Sequence, residues 1–522
     1  MQHPTTINIT LMKKLLTLCV TLLLSGTMVH ARQAASDYEK LDAYYQRVLT
    51  DWNLPGMAVG VVVDGQLVFS KGYGLIEEGR PGRPDEHTLF AIASNTKAIT
   101  AAVLGMLVDE GRITWDDRVV THLPYFELFD AYVTREATIR DLLSHRVGLG
   151  TFSGDVIWYK SDIPAEQVIR NARHLPRAFP FRSGYGYSNL MYLAAGEVIE
   201  AVTGKSWMEN VEERILRPLG MDRTILQTAD LQGKGNFATP HALVDGVNVP
   251  IEWEDWTHVA AIGGLISSVH DVAQWMILNM NHGIRGQDTL IRPQTVNLMW
   301  TPHASFMVDH SRDQDFSRHF NGYGLGWGLS DYHGRLSVGH TGGYDGMISE
   351  VRMLPKEGIG VVVLTNGVKS PIGAITNYTL ETLLGMEARD WSAQMLPRAN
   401  QRWETEDPRI TAIRNARVEG TSPALPLADY AGVYASAIYG EINVRLVNGM
   451  LELEFEHAPE LAATLSHWHH DVWEIRWKHT HAFFGFGTIS FRTDNKMQVT
   501  GMDIEVPNRD IFFEELKPVK VR

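Results

Sequence analysis

Residues 96–111, TKAITAAVLGMLVDEG, place apolar side chains on nearly every face of a helical period. Such a helix has no polar side to turn to water, so it must be surrounded by protein. Only a chain with a large interior can enclose it. At 522 residues and 44% apolar composition this sequence has one, and its length allows more than one domain.

The surroundings of that helix follow from the strand patterns. MAVGVVVDGQLVFSKGYG, from Met57, is two β-branched runs joined at Asp64-Gly65, a pair that tolerates positive φ at both turn positions. It reads as a hairpin. Far downstream, ISEVRMLPKEGIGVVVLTN predicts strands over about Ile348–Leu354 and Ile359–Leu364. Pairing of the two sets builds one antiparallel sheet from the two ends of a domain, with the intervening chain as helical insert and loops. DYEKLDAYYQRVLTDW supplies an amphipathic first helix through Leu41, Tyr44, Tyr45, Val48 and Leu49. ATIRDLLSH, LMYLAAGEVIEAVTG and SVHDVAQWMILNMNHG read as further helices, the last two closing on Gly. The stretch DHSRDQDFSRHFNGYG has no periodicity and reads as surface loop. The fold class is therefore α+β.

From 387 to 426 the composition turns to charged residues and scattered prolines, which marks a linker. It separates a domain over 32–386 from one over 427–522. The latter carries short alternating strands with Asn448-Gly449 as a hairpin turn, and predicts a small all-β barrel or, alternatively, a sandwich.

At the other end, residues 1–31 contain no Asp or Glu, and from Met12 they read MKKLLTLCVTLLLSGTMVHA. This is the layout of a secretory signal peptide, too short an apolar run to prefer a permanent membrane span. Residues 1–11 precede a natural-looking start at Met12 and can be a misassigned start. The expected location is secreted or periplasmic. The single cysteine, Cys19, would leave with the signal, apart from a minor prospect of lipid attachment, so the mature chain has no thiol chemistry. Loss of Lys13 and Lys14 takes the net charge from −14 to −16. An acidic chain without a long Lys/Arg run is a poor candidate for binding nucleic acid or anionic membrane. The expected partner is a small-molecule or peptide substrate; oligomeric state has no signal in the sequence.

Chemistry enters at LFAIASNTKAIT. A three-residue step from Ser94 places Lys97 one helical turn along, within reach of the serine oxygen. Apolar surroundings would keep the amine poorly hydrated, and the helix N-terminus favours negative charge on the oxygen. The spacing alone is weak, since about two Ser-x-x-Lys matches are expected by chance in a chain this long. A second element, FRSGYGYSNLMY, offers Tyr187 as a proton shuttle, kept acidic by Lys97, and Asn189 as an amide for a substrate carbonyl. The third is SVGHTGGYDGMISEV, with His340-Thr341-Gly342-Gly343 leading into the strand at Ile348. Adjacent glycines admit a close substrate backbone, and the Gly343 N–H could join that of Ser94 in an oxyanion hole. A His-Thr-Gly triplet arises by chance in only about one chain in twenty of this size.

In this order the three elements resemble the serine β-lactamase and penicillin-binding protein superfamily, most nearly the branch related to class C β-lactamases. The resemblance runs from about Asp37 to Leu384 and includes LLSHRVGLG at 142–150 and GGLISSVHDVAQW at 263–275. It implies a β-lactamase/transpeptidase-like domain: an antiparallel sheet flanked by helices, plus a helical insert. By resemblance Ser94 is the acylated nucleophile, Lys97 its base partner and Tyr187 the proton shuttle. Asn189 orients substrate, while His340, Thr341, Gly342 and Gly343 line the binding edge. The C-terminal part looks like a lipocalin-like β domain. No cofactor and no metal are implied.

One departure matters. Where β-lactamases carry Lys-Thr-Gly, this chain has His340-Thr341-Gly342, and histidine is mostly neutral near pH 7 where lysine is a permanent cation. A peptidase, amidase or esterase is therefore expected ahead of a resistance enzyme, with a penicillin-binding or sensor-type protein of slow or no turnover as the alternative. An α/β-hydrolase is disfavoured, because GYSNL at 186–190 lacks the final Gly of the nucleophile elbow. HWHH at 467–470 and KHTH at 478–481 could converge His467, His469, His479 and His481 on a metal, but a His- and Trp-rich barrel face is the simpler reading.

Overall fold

The computed structural model describes residues 36–309 and 316–522; the signal-like segment lies outside them. A first helix, α1, covers 36–51 and leads into the hairpin β1 (Gly56–Val63) and β2 (Gln66–Gly74). Its turn adopts positive φ at both Asp64 (50°) and Gly65 (75°), as the dipeptide requires. The sheet is completed by β3 (Ala304–Phe306), β4 (Asn321–Tyr323), β5 (Gly328–Tyr332), β6 (Arg335–Tyr344), β7 (Met347–Leu354) and β8 (Ile359–Thr365).

The eight strands run in the order β2-β1-β8-β7-β6-β5-β4-β3. The N-terminal hairpin does meet the distant strand pair: β1 lies antiparallel to β8 with Val59 opposite Val363 and Val61 opposite Val361. β8 is buried on both sides. Val361 and Val363 face α1 and the helix α5, Ile372–Leu383. Val362 and Leu364 face α4 (Val269–Met280) and the main core. The continuous apolar run of this strand is the signature of such two-sided burial.

The all-round apolar helix is α2, Thr96–Asp109, and every residue from Thr96 to Leu107 is buried. It packs against α3 (Asn189–Thr203) and the short turn of helix Ala260–Gly263. The sequence reading differs from the structure around β6 and β4. His340–Gly343 leads into a strand only in the sense of lying in one, β6, whose turn at Asp345-Gly346 precedes β7. Asn321–Tyr323, read as loop, is a short strand that borrows its order from its neighbours β3 and β5.

The segment 387–426 holds two helices, Trp391–Glu404 and Pro408–Asn415. The first is tied to α1: Trp52 Nε1 donates to Ser392 Oγ (2.9 Å), and the Ser392 N–H donates to Tyr44 Oη (2.9 Å). Beyond it, eight strands between Gly432 and Lys520 close into a barrel. Closure removes the exposed edges that an open sheet of such short strands would carry. Its interior is filled by Tyr434, Leu453, Trp473 and Phe491 among others.

The barrel is docked on the first domain by specific contacts. Glu515 accepts from Ser153 Oγ (2.6 Å) and the Gly154 N–H (2.7 Å). Lys160 pairs with Glu460 (2.9 Å), Asn171 Nδ2 donates to the Ile438 carbonyl (2.8 Å), and Tyr159 packs against Phe484. Among the described residues no helix is long and apolar enough to cross a membrane.

Leu364 is fully buried at the centre of the sheet. Leu364→Ala is expected to destabilise the first domain by about 2–5 kcal/mol, read as a lower midpoint in thermal or urea denaturation followed by tryptophan fluorescence.

Candidate active site

Ser94 sits on a 3₁₀ turn, Ala93–Asn95, that feeds directly into α2. Ala93 holds φ at +47°, a left-handed conformation that costs a residue with a Cβ about 1–2 kcal/mol. Three hydrogen bonds keep it there. Asn95 Nδ2 donates to Ser349 Oγ on β7 (2.9 Å), Ser349 Oγ donates to the Ile92 carbonyl (2.8 Å), and the Ile92 N–H donates to the Leu265 carbonyl (3.0 Å). The serine is thereby turned out of the core, half-buried, into a cleft of about 520 Å³.

Lys97 lies beneath it with no solvent exposure at all. Its Nζ is 3.0 Å from Ser94 Oγ and 2.6 Å from the Ile262 carbonyl. Among the described residues no carboxylate forms an ion pair with it. Burial pushes its pKa down to about 7, opposed by the nearby Asp155 carboxylate. Near neutral pH a substantial share of this amine is uncharged, and an uncharged amine can accept the serine proton.

Tyr187 stands on the loop before α3, its ring 5.0 Å from Lys97 Nζ. The expectation that Lys97 keeps Tyr187 acidic is corrected here. Burial drives the phenol well above its usual pKa, with the neighbouring Ser94 hydroxyl acting weakly the other way. The low-pKa group of the pair is the lysine, because desolvation disfavours the charged form of both and so raises an acid while lowering a base. The Tyr187 hydroxyl is closed off from solvent without a hydrogen bond of ordinary geometry, so it is held as a neutral phenol beside Ser94.

Asn189 lines the cleft and is tied to the protein through one N–H. Its Nδ2 donates to Asp155 Oδ2 at 2.6 Å, so that N–H is committed to the protein rather than to a substrate carbonyl. Asp155 accepts a second bond from Trp158 Nε1 (2.9 Å), and burial pushes its pKa up to about 8 despite both hydrogen bonds and Lys97.

His340, Thr341 and Gly343 lie along the cleft on the half of β6 that β5 does not cover. His340 Nδ1 is 2.6 Å from the Thr341 carbonyl, which can only accept, so this nitrogen carries the proton. Nε2 then accepts from Tyr323 Oη at 3.0 Å. Burial, helped by Lys97, takes the ring down to about pKa 4, and His340 is a neutral wall rather than a cation. Gly342 does not face the cleft. A Cβ there would stand 2.2 Å from the Ile92 carbonyl and 2.5 Å from Ser349 Oγ, so it is a glycine because β6 presses on the nucleophile turn.

Two residues of this centre carried no signal as site residues in the sequence. Asp155 is one. The other is His145, fully buried with φ +58°, its ring 4.4 Å from that of Tyr187. It accepts the Ser188 N–H at Nδ1 (3.0 Å), and its pKa is held well below the usual value by burial. The barrel contributes to the cleft as well, through Phe483, Asp510 and Ile511. The four histidines weighed as metal ligands do not assemble: His467 Nε2 bonds the His470 carbonyl, His469 Nδ1 accepts the Val418 N–H, and among the described residues no three potential ligands are placed to hold an ion.

Comparison with known proteins gives the relatives of the chain. The family model described as Beta-lactamase matches residues 41–384, and one described as a domain of unknown function (DUF3471) matches 416–518. An unguisins hydrolase of Aspergillus campestris is 31% identical over 426 residues, 76% of each chain. Penicillin-binding protein 4 of Amycolatopsis lactamdurans is 26% identical over 336 residues, covering 63% of this chain and 86% of that one. In fold, the octameric penicillin-binding protein homologue of Pyrococcus abyssi aligns with a TM-score of 0.60 at 21% identity, covering 93% of this chain and all of that one.

Because the active form needs uncharged Lys97, kcat/KM should rise with pH through an apparent pKa near 7. Asp155 raises that pKa, so Asp155→Asn should move the rising limb to lower pH; a limb that stays put or moves up would contradict the assignment. Gly342→Ala should lower kcat/KM about 100-fold while the far-ultraviolet circular dichroism is retained, since it displaces β6 from the nucleophile turn.

Proposed function

The chain belongs to the beta-lactamase family, and on that premise we propose that it is a serine hydrolase cleaving an amide or ester bond through an acyl-enzyme on Ser94. The observation that carries this reading is the 3.0 Å approach of a fully buried Lys97 amine to Ser94 Oγ.

In acylation, Lys97 Nζ takes the proton as Ser94 Oγ bonds to the substrate carbonyl carbon. The N–H groups of Ser94 and Gly343 receive the developing oxyanion. As the carbonyl–leaving-group bond breaks, the Tyr187 hydroxyl gives its proton to the departing nitrogen or oxygen and is reprotonated from Lys97. In deacylation a water bonds to the acyl carbon, its proton passes to the Lys97–Tyr187 pair, and Ser94 departs as the hydroxyl.

The cleft favours peptides, amides or esters over substrates selected by a carboxylate. His340 stands where a β-lactamase carries lysine, and both of its nitrogens are engaged within the protein. Aromatic walls from Phe152, Trp158, Tyr185 and Trp256 suit apolar side chains. The 31% identity to a protein named as a hydrolase of unguisins supports hydrolysis as the outcome. The similarity to a penicillin-binding protein supports a second reading, a stable acyl-enzyme with little turnover. The signal-like segment 12–31 supports placing the enzyme outside the cytoplasm.

Intact mass spectrometry of residues 32–522, wild type beside Ser94→Ala, after brief exposure to a penicillin, an activated ester and a D-alanyl peptide tests this directly. Hydrolysis predicts an adduct that requires Ser94 and decays with product release. A persistent penicillin adduct with no turnover of the other two would favour the second reading, and no adduct in folded protein would overturn both.

A further inference from the structure

The C-terminal barrel does more than rest on the hydrolase domain, because it forms part of the wall facing Ser94. Phe483, Asp510 and Ile511 all line the same cleft as the serine. The loop that presents Asp510 is built to hold it. Asn508 is buried and makes four bonds within the loop: Oδ1 accepts from the N–H groups of Asp510 (2.9 Å) and Ile511 (2.6 Å), and Nδ2 donates to the carbonyls of Val506 (2.7 Å) and Ile511 (2.6 Å). Arg409, from the helix Pro408–Asn415, fastens the Asn508 carbonyl at 2.7 Å.

The barrel is also registered against the cleft from the other side. Glu515 grips Ser153 and Gly154, and the next residue is Asp155. Asp510 and Asp155 are close enough for Asp510 to raise the pKa of Asp155. The rings of Trp158, Tyr159, Trp256 and Phe483 line the same cleft and pack on one another in pairs.

The cations near Asp510 do not enter the cleft. Asp510 is half-buried, and among the described residues its carboxylate makes neither a side-chain hydrogen bond nor an ion pair. Arg402 and Arg509 lie near enough to act on it, yet both are exposed and neither lines the cleft. Lys160, beside the cleft residue Tyr159, is taken up by Glu254 and Glu460. Of the arginines that do line the cleft, Arg352 pairs with Glu350 and Asn377, and Arg318 lies over Phe316. Lys97 is sealed below Ser94.

We propose that Asp510, carried into the cleft by the barrel, receives a protonated amine of the substrate and makes the barrel the specificity element of this hydrolase. An ammonium group fits the site on two counts. A carboxylate in a partly desolvated position gains a charge-assisted hydrogen bond, and the flanking aromatic faces add cation–π attraction. A carboxylate-bearing substrate end placed here would meet the Asp510 carboxylate. The inference rests on the reading of Ser94 as the nucleophile and extends it by naming a substrate class: amides or esters with a free amine.

The test uses the full mature chain and the p-nitroanilides of D- and L-phenylalanine, each with its amine free or acetylated. Wild type should favour the free amine at least about tenfold in kcat/KM. Asp510→Asn should collapse that ratio, and Asp510→Lys should reverse it. A ratio that is near unity in wild type, or unchanged in both variants, overturns the proposal. Labelling of Ser94 by an activated ester is measured in parallel, so that labelled enzyme without an amine preference refutes the barrel subsite alone. If Ser94 is neither labelled nor active, calorimetric binding of phenylalaninamide against its N-acetyl form still reads the subsite: tighter binding of the free amine, lost in Asp510→Asn, supports it, and equal binding refutes it.

Discussion

An amine held out of water one helical turn from a serine is the constraint on which this molecule depends. A charged ammonium in that position would be heavily disfavoured, and the surroundings of Lys97 relieve the cost with one carbonyl, that of Ile262, and a nearby acid rather than with a contact ion pair. The arrangement only works if no water reaches the lysine. That is why α2 is apolar on every side and why α3 and the Ala260–Gly263 turn close on it. The large core is thus as much an electrostatic device as a source of stability.

The nucleophile itself is positioned by compression. The turn at Ala93 would relax from its left-handed conformation were it not pinned to Ser349 on β7 and overlain by β6 at Gly342. β6 therefore has two jobs divided along its length. Arg335–Gly339 pairs with β5 as ordinary sheet, while His340–Tyr344 leaves that pairing and becomes the floor of the cleft. The single strand thus links the stability of the sheet to the geometry at Ser94.

The cleft is lined by neutral and aromatic groups where a carboxylate-recognising enzyme would place a cation. His340 achieves this through its hydrogen bonds: with its proton on Nδ1 and its lone pair toward Tyr323, it has no reason to charge. The barrel adds an acidic group of its own, reaching the cleft through Asp510, and it steadies the Asp155 loop through Glu515. The two domains share one site.

Much of this was legible in the order of residues. The two-residue turn at Asp64-Gly65, the strand from about Ile359 to Leu364 and the apolar helix after Ser94 each encode local geometry in a short window, and each appears as read. So do the Ser94–Lys97 step and the strand patterns that close into the barrel. What the sequence by itself determined is which elements form and which three motifs can meet around a serine. It could not supply the left-handed Ala93, the neutral His340 tautomer, the inverted titration of Tyr187 and Lys97, the capture of Asn189 by Asp155, or the presence of His145 and Asp510. Ser153 and Glu515 touch across a sequence separation of 362 residues. Periodicity and spacing report on neighbours along the chain, whereas desolvation and hydrogen-bond partners depend on which distant segments exclude water from a given atom, and only the tertiary structure decides that.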